Sequence, residues 1–153
     1  MKIAFIGLGV MGYPMAGHVK NADMDICVYN RSTEKAKKWC DEYKGDMAPT
    51  PAEAAKDRDV VLMCVGNDND VSEVILGNNG CLGPMKDGAI LIDHTTASAK
   101  LARHLFQAAE GQGKHFLDAP VSGGQAGAEN GALTVMIGGE HDAYGVAKPV
   151  IDT

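Results

Sequence analysis

Lys2-Ile3-Ala4-Phe5-Ile6, then Gly7-Leu8-Gly9-Val10-Met11-Gly12, then Tyr13-Pro14-Met15-Ala16-Gly17 opens the chain. Ile3 to Ile6 is a short apolar run of the kind that forms a strand buried on both faces. Three glycines follow at once, and Met11 to Val19 is compatible with a helix. Strand, G-x-G-x-x-G and helix in that order form the opening of a dinucleotide-binding unit. Gly7 provides the tight turn off the strand, Gly9 lets backbone approach a pyrophosphate, and Gly12 lets helix pack on strand. The phosphates are then expected at the helix N-terminus, facing free N–H groups and the positive end of the helix dipole. Pro14 falls in or just after the first turn, where a missing N–H costs least.

The remaining chain repeats the alternation. Expected strands are Asp25–Tyr29, a short Asp46–Ala48, Val60–Val65, Ala89–Ile92, His115–Asp118 and Leu133–Ile137. Expected helices are Lys35–Tyr43 after a Ser32 or Thr33 cap and ended by Gly45, Pro51–Lys56 after Thr50, Asp70–Leu76, Ser98–Glu110 and Asp142–Ile151. Pro120 to Gly131 reads as a glycine-rich loop. The pattern predicts a Rossmann-type, doubly wound α/β domain: a mostly parallel sheet with helices on both faces. Length is that of one domain, 153 residues, and 45% hydrophobic with 22% charged residues is a globular composition.

Net charge of −6 argues against nucleic-acid binding and leaves room for a local anion site. No apolar run reaches membrane-span length, and the chain begins directly with a core strand, so no signal peptide is expected. Cys27, Cys40, Cys64 and Cys81 form no C-x-x-C pair, and Cys27 and Cys64 lie in strand-like runs. Reduced, buried thiols and a cytoplasmic location follow as expectations. The five histidines show no metal-ligand spacing, and none is taken as a ligand.

In a parallel sheet, ligands bind at the carboxyl ends of the strands. The second strand ends in Asn30-Arg31-Ser32. NAD sites place an acidic residue here for the ribose 2′-hydroxyl; its absence, with Arg31 next, favours NADP over NAD, because a guanidinium pairs with a 2′-phosphate. Cys64 and Val65, at the end of the fourth strand, are placed against the cofactor's ribose. After the fifth strand, Asp93-His94-Thr95-Thr96 offers a hydroxyl to the nicotinamide side, while His94 reads as an ordinary loop residue. Asp118-Ala119-Pro120-Val121-Ser122-Gly123-Gly124 presents a hydroxyl and exposed backbone N–H groups suited to a carboxylate or phosphate.

Taken together, these segments resemble the β-hydroxyacid dehydrogenases, the family of 3-hydroxyisobutyrate dehydrogenase, tartronate semialdehyde reductase and 6-phosphogluconate dehydrogenase. Phe5–Ala16 is similar to the family's cofactor signature, Asp118–Gly124 to its substrate signature, and Gly131–Gly139 to the segment after it. The resemblance covers nearly all of the chain. It implies that Gly7, Leu8, Gly9, Val10, Met11 and Gly12 hold the pyrophosphate. Asn30, Arg31 and Ser32 would surround the adenosine ribose, and Thr96 would approach the nicotinamide. Ser122, Gly123 and Gly124 would bind the carboxylate of a small hydroxy acid or semialdehyde.

The family's general acid/base is a lysine on a long helix after the nucleotide domain. Thr153 precedes that position, and Lys148 does not match the motif. The resemblance therefore implies an NAD(P)-binding domain whose helical partner domain and catalytic lysine are absent from this chain. It would be inactive alone and part of a homo-oligomer when complete. Two other readings share the glycine-rich first turn: a non-catalytic nucleotide-binding or interaction module, and a methyltransferase, against which Arg31 and Ser122-Gly123-Gly124 speak.

Overall fold

A computed structural model describes all 153 residues. Six parallel strands form one sheet in the order β3-β2-β1-β4-β5-β6. They are β1 (Lys2–Ile6), β2 (Asp25–Tyr29), β3 (Asp46–Met47), β4 (Val60–Met63), β5 (Ile90–Asp93) and β6 (His115–Asp118). The connecting helices are α1 (Gly12–Asn21), α2 (Thr33–Tyr43), α3 (Pro51–Ala55), α4 (Asp68–Leu76) and α5 (Ala99–Glu110). The chain winds outward from β1 to β3, then crosses back so that β4 pairs with the other side of β1 in register Ile3↔Val60 to Ile6↔Met63. The strand order therefore reverses between β1 and β4, where sheets of this type open a crevice at their carboxyl edge.

Alternation along the strands divides the core in two. Ile3 and Phe5 of β1 face a layer with Trp39, Ala16, Val19 and Ala147, while Ala4 and Ile6 face a layer with Val71, Ile75, Leu105 and Ala109. Every residue of β4 and β5 is buried. A strand with helices on both faces has no solvent side, which explains its near-continuous apolar run.

Beyond β6 the chain forms a short antiparallel pair, β7 (Val121–Ser122) and β8 (Thr134–Val135), enclosing helix α6 (Gly124–Glu129), and ends in α7 (His141–Ile151). The segment expected as one loop thus contains a strand and a helix. Its small residues suppress both helical and strand periodicity in the sequence. The strand expected over Leu133–Ile137 pairs only at Thr134 and Val135, with one further bridge from Gly138 to Asp118. Helix α2 is closed by Lys44, left-handed at φ 60°, rather than by Gly45; its N–H donates to the Cys40 carbonyl. Asn67 caps α4 by accepting from the Asp70 N–H, so that helix starts earlier than expected.

Trp39 is fully buried, stacks on Tyr43 at 5.3 Å between ring centroids, and donates its indole N–H to the Tyr13 carbonyl at 3.2 Å. It joins α1 to α2. Trp39→Ala should cost about 3–5 kcal/mol in urea unfolding followed by far-UV circular dichroism. A loss below about 1 kcal/mol would show that this joint is not part of the core.

Candidate functional site: a nucleotide cleft at the carboxyl edge

The turn from β1 into α1 is determined by two contacts too close for any side chain. Gly7 has φ +94°, and a Cβ on it would stand 2.2 Å from the Cys64 carbonyl oxygen. A Cβ on Gly12 would stand 1.9 Å from the Gly7 carbonyl oxygen. The turn is also tied sideways to β2: the Gly7 N–H donates to the Tyr29 carbonyl at 2.8 Å, and the Leu8 N–H donates to Asn30 Oδ1 at 2.9 Å. Leu8 itself is buried in the core beneath the turn.

The next four N–H groups, of Gly9, Val10, Met11 and Gly12, have no acceptor within the chain. A Cβ on Gly9 would meet nothing within 4 Å. Open space above Gly9 and unpaired donors at the start of α1 are what a diphosphate requires. The residues present therefore fit a dinucleotide's pyrophosphate.

A cleft of about 1060 Å³ runs over this turn. Gly7, Gly9, Val10, Met11 and Gly12 line it, with Asn30, Arg31 and Ser32 from the end of β2 and Cys64 and Val65 from the end of β4. The volume is at the upper end of pockets that bury small molecules. Three expected clusters thus converge from different strands. The far wall was not foreseen: it comprises Thr50, Asp70 and Glu73 of α4, and Asn78 and Asn79, while Lys35 of α2 joins Arg31 on the near side. A glycine- and asparagine-rich stretch after α4 was the only sequence signal for that wall. Ser32 takes the N-cap position of α2, without a capping bond from its own side chain.

Thr96 is exposed and lies outside this lining. Its neighbour Thr95 is buried and accepts from the Val65 N–H at 3.0 Å, while the Thr95 N–H donates to Asp93 Oδ1 at 2.9 Å. The end of β5 therefore braces the end of β4, where Val65 borders the cleft. His94 is buried rather than in an open loop: its ring sits 2.8 Å from the Ala119 carbonyl. Burial holds its pKa below the usual value, so the ring is neutral and Nδ1 carries the donated proton. It borders a second, mostly apolar cleft of about 350 Å³ with Phe5, Leu62, Leu133 and Tyr144.

Ser122, Gly123 and Gly124 are exposed at the carboxyl end of β6, and both glycines have positive φ, +140° and +64°. His18 of α1 lies 2.9 Å from the Ala128 carbonyl, tying α6 to the glycine-turn helix. The Ser122–Gly124 segment is thereby anchored beside α1 but does not line the large cleft.

Burial pushes the Cys64 thiol up to about 11, which keeps it protonated and unreactive near neutrality. Burial also raises the Asp93 carboxyl to about 6, against the opposing effect of the hydrogen bonds from Thr95. Asp118 is raised by burial as well.

The chain belongs to a known family: the model for the NAD-binding domain of 6-phosphogluconate dehydrogenase matches residues 2–153. An uncharacterized oxidoreductase of Shewanella frigidimarina is 56% identical over 150 residues, covering 98% of this chain and 52% of that protein. The structure of Mycobacterium tuberculosis 3-hydroxyisobutyrate dehydrogenase with L-serine superposes with TM-score 0.92 at 30% identity, covering 99% of this chain and 50% of that one. Psf3 in complex with NADP+ and 2-OPP gives TM-score 0.91 at 30% identity, covering 98% of this chain and 53% of that one. The chain is thus a Rossmann domain of the family of NAD-binding domains typified by that of 6-phosphogluconate dehydrogenase, and it spans about half the length of the relatives it matches.

Two substitutions separate site from scaffold. Gly9→Ala should leave the unfolding midpoint unchanged, since its Cβ has open space, yet weaken dinucleotide binding at least about tenfold by blocking close approach of the phosphates. Unchanged binding would place the phosphates elsewhere. For Asp93, the folded pKa of about 6 exceeds the model-peptide 3.8, so ionisation opposes folding. That cost is fully present above pH 6 and vanishes as pH falls towards 4. Asp93→Asn, which keeps an acceptor for Thr95, should therefore be more stable than wild type by roughly 3 kcal/mol at about pH 8, with the difference closing by about pH 4. A pH-independent difference in denaturant titrations would contradict the raised pKa.

Proposed function

We propose that this chain is the cofactor-binding domain of an NADP-dependent oxidoreductase that transfers a hydride between the nicotinamide and a small β-hydroxy acid or semialdehyde. The observation that carries the reading is the continuity of one cleft. It runs from four unpaired N–H groups at the start of α1 to a β2 end where Arg31 is available and no carboxylate follows Tyr29. A guanidinium at that place pairs with a 2′-phosphate, where an acidic side chain would repel it. Psf3, solved with NADP+, supports the choice by likeness. NAD remains the alternative cofactor at the same cleft.

The bound nicotinamide would supply or accept the hydride. The chain's own residues bind and orient. Gly9, Val10, Met11 and Gly12 present N–H groups to the diphosphate. Asn30 holds the turn through the Leu8 N–H. Val65 is fixed by Thr95 against the ribose side. Ser122, Gly123 and Gly124 would take the substrate carboxylate, as the resemblance implies; the mycobacterial structure contains L-serine, a small β-hydroxy acid, which supports the substrate class.

Three groups near these strand ends are unsuited to proton transfer. The Cys64 thiol is protonated, Asp93 is engaged by Thr95, and the neutral His94 is buried against Ala119. On the family resemblance, we assign proton transfer to a lysine outside these 153 residues, on the helical domain that the resemblance implies. The chain alone then binds cofactor without turnover. The complete protein would be a cytoplasmic homo-oligomer.

Calorimetric titration of the chain at low salt tests the cofactor reading. NADPH should bind more tightly than NADH. Arg31→Ala should weaken NADPH about tenfold or more, the contribution of a charge-assisted hydrogen bond, and leave NADH within about twofold. Equal or tighter binding of NADH would replace NADP by NAD. Substrate-dependent NADPH oxidation by this chain would refute the placement of the proton-transfer group outside it.

A further inference from the structure

The adenosine end of the cleft has two walls of opposite charge. On one, Arg31 and Lys35 follow β2; on the other, Asp70 and Glu73 stand on α4. Arg31 Nη1 lies 3.7 Å from Asp70 Oδ1 across the opening. The Arg31 side chain is 88% exposed and free to move, whereas Asp70 is 28% exposed and its backbone is fixed in the first turn of α4 by the Asn67 cap. Its carboxylate lies over Gly66: a Cβ there would stand 2.5 Å from Asp70 Oδ2. The lack of a side chain at residue 66 leaves room for the carboxylate in this position.

We propose that Asp70 is a specificity-determining residue: by pairing with Arg31 across the cleft, it holds down the preference for a cofactor carrying a 2′-phosphate. The inference rests on the reading that Arg31 receives that phosphate. Seating the phosphate on Arg31 requires the guanidinium to leave Asp70 and brings a dianion near the carboxylate. A cofactor with a bare 2′-hydroxyl imposes neither cost. The pair therefore acts selectively against NADP and leaves NAD untouched, which keeps the site from excluding either cofactor.

The test is a double-mutant cycle on the full chain, with NADP+ and NAD+ as probes and affinities from calorimetry at low salt. Asp70→Asn keeps the shape and the N–H bonded to Asn67. It should tighten NADP+ about fivefold, the upper end of what an exposed ion pair contributes, and change NAD+ by less than about twofold. Asp70→Ser, well tolerated in a first helical turn, should reproduce this and guards against an idiosyncrasy of the amide. The gain should shrink when salt screens the pair. In the Arg31→Ala background, Asp70→Asn should give a clearly smaller gain, because only the repulsion between phosphate and carboxylate is then relieved.

The proposal is overturned by an equal gain in the Arg31→Ala background, by equal shifts for NADP+ and NAD+, or by weaker NADP+ binding in both Asp70 variants. The Arg31→Ala arm alone reports on the underlying reading. If it leaves NADP+ affinity unchanged, the phosphate is not on Arg31 and both claims fall together. If it weakens NADP+ while the Asp70 variants are silent, only the role of Asp70 falls.

Discussion

The closest constraint in the molecule is the approach of α1 to the turn that precedes it. Only a hydrogen at Gly12 can face the Gly7 carbonyl, and only a hydrogen at Gly7 can face the Cys64 carbonyl. These two contacts bring the first helix, the first strand and the end of β4 together at one point. Because the helix starts there, its unpaired N–H groups open where the strand order reverses. Affinity for a diphosphate is then a consequence of how the first turn packs, before any charged side chain is considered.

The rest of the site is arranged around that point by backbone-directed bonds. Asn30 reaches from β2 to the turn, Thr95 reaches from β5 to Val65, and His94 reaches from β5 to the chain after β6. Each links the carboxyl ends of different strands. The buried Asp93 that anchors Thr95 does so at the cost of a carboxylate in a poorly solvated place, and its raised pKa expresses that cost. Stability is given up beneath the site to hold its edge still.

Much of this was legible in the sequence, for physical reasons. Strands buried on both faces leave continuous apolar runs, and Val60–Met63 and Ile90–Asp93 could be found that way. The turn at Gly7–Gly12 showed itself because no other residue meets its distances. Less legible were features that depend on side-chain reach between distant segments. Asp70 looks like any acid in a first helical turn, and its approach to Arg31 depends on the packing of α4. His94 reads as a loop residue because nothing local indicates that Ala119 will cover it. The α6 turn was hidden by its own small residues, and Lys44 closes a helix where the adjacent glycine drew attention.

The central claim is that the four unpaired N–H groups at the start of α1 receive the cofactor's diphosphate, with the far end of the cofactor at Arg31. The most direct test is a two-dimensional amide NMR titration of the isotope-labelled chain with NADP+. The account predicts the largest shifts at Gly9, Val10, Met11 and Gly12, with smaller ones at Asn30, Arg31, Ser32 and Val65 and none along the second cleft near Tyr144 and Val150. Shifts concentrated around Phe5, Tyr144 and Val150, with Gly9 to Gly12 unmoved, would contradict it.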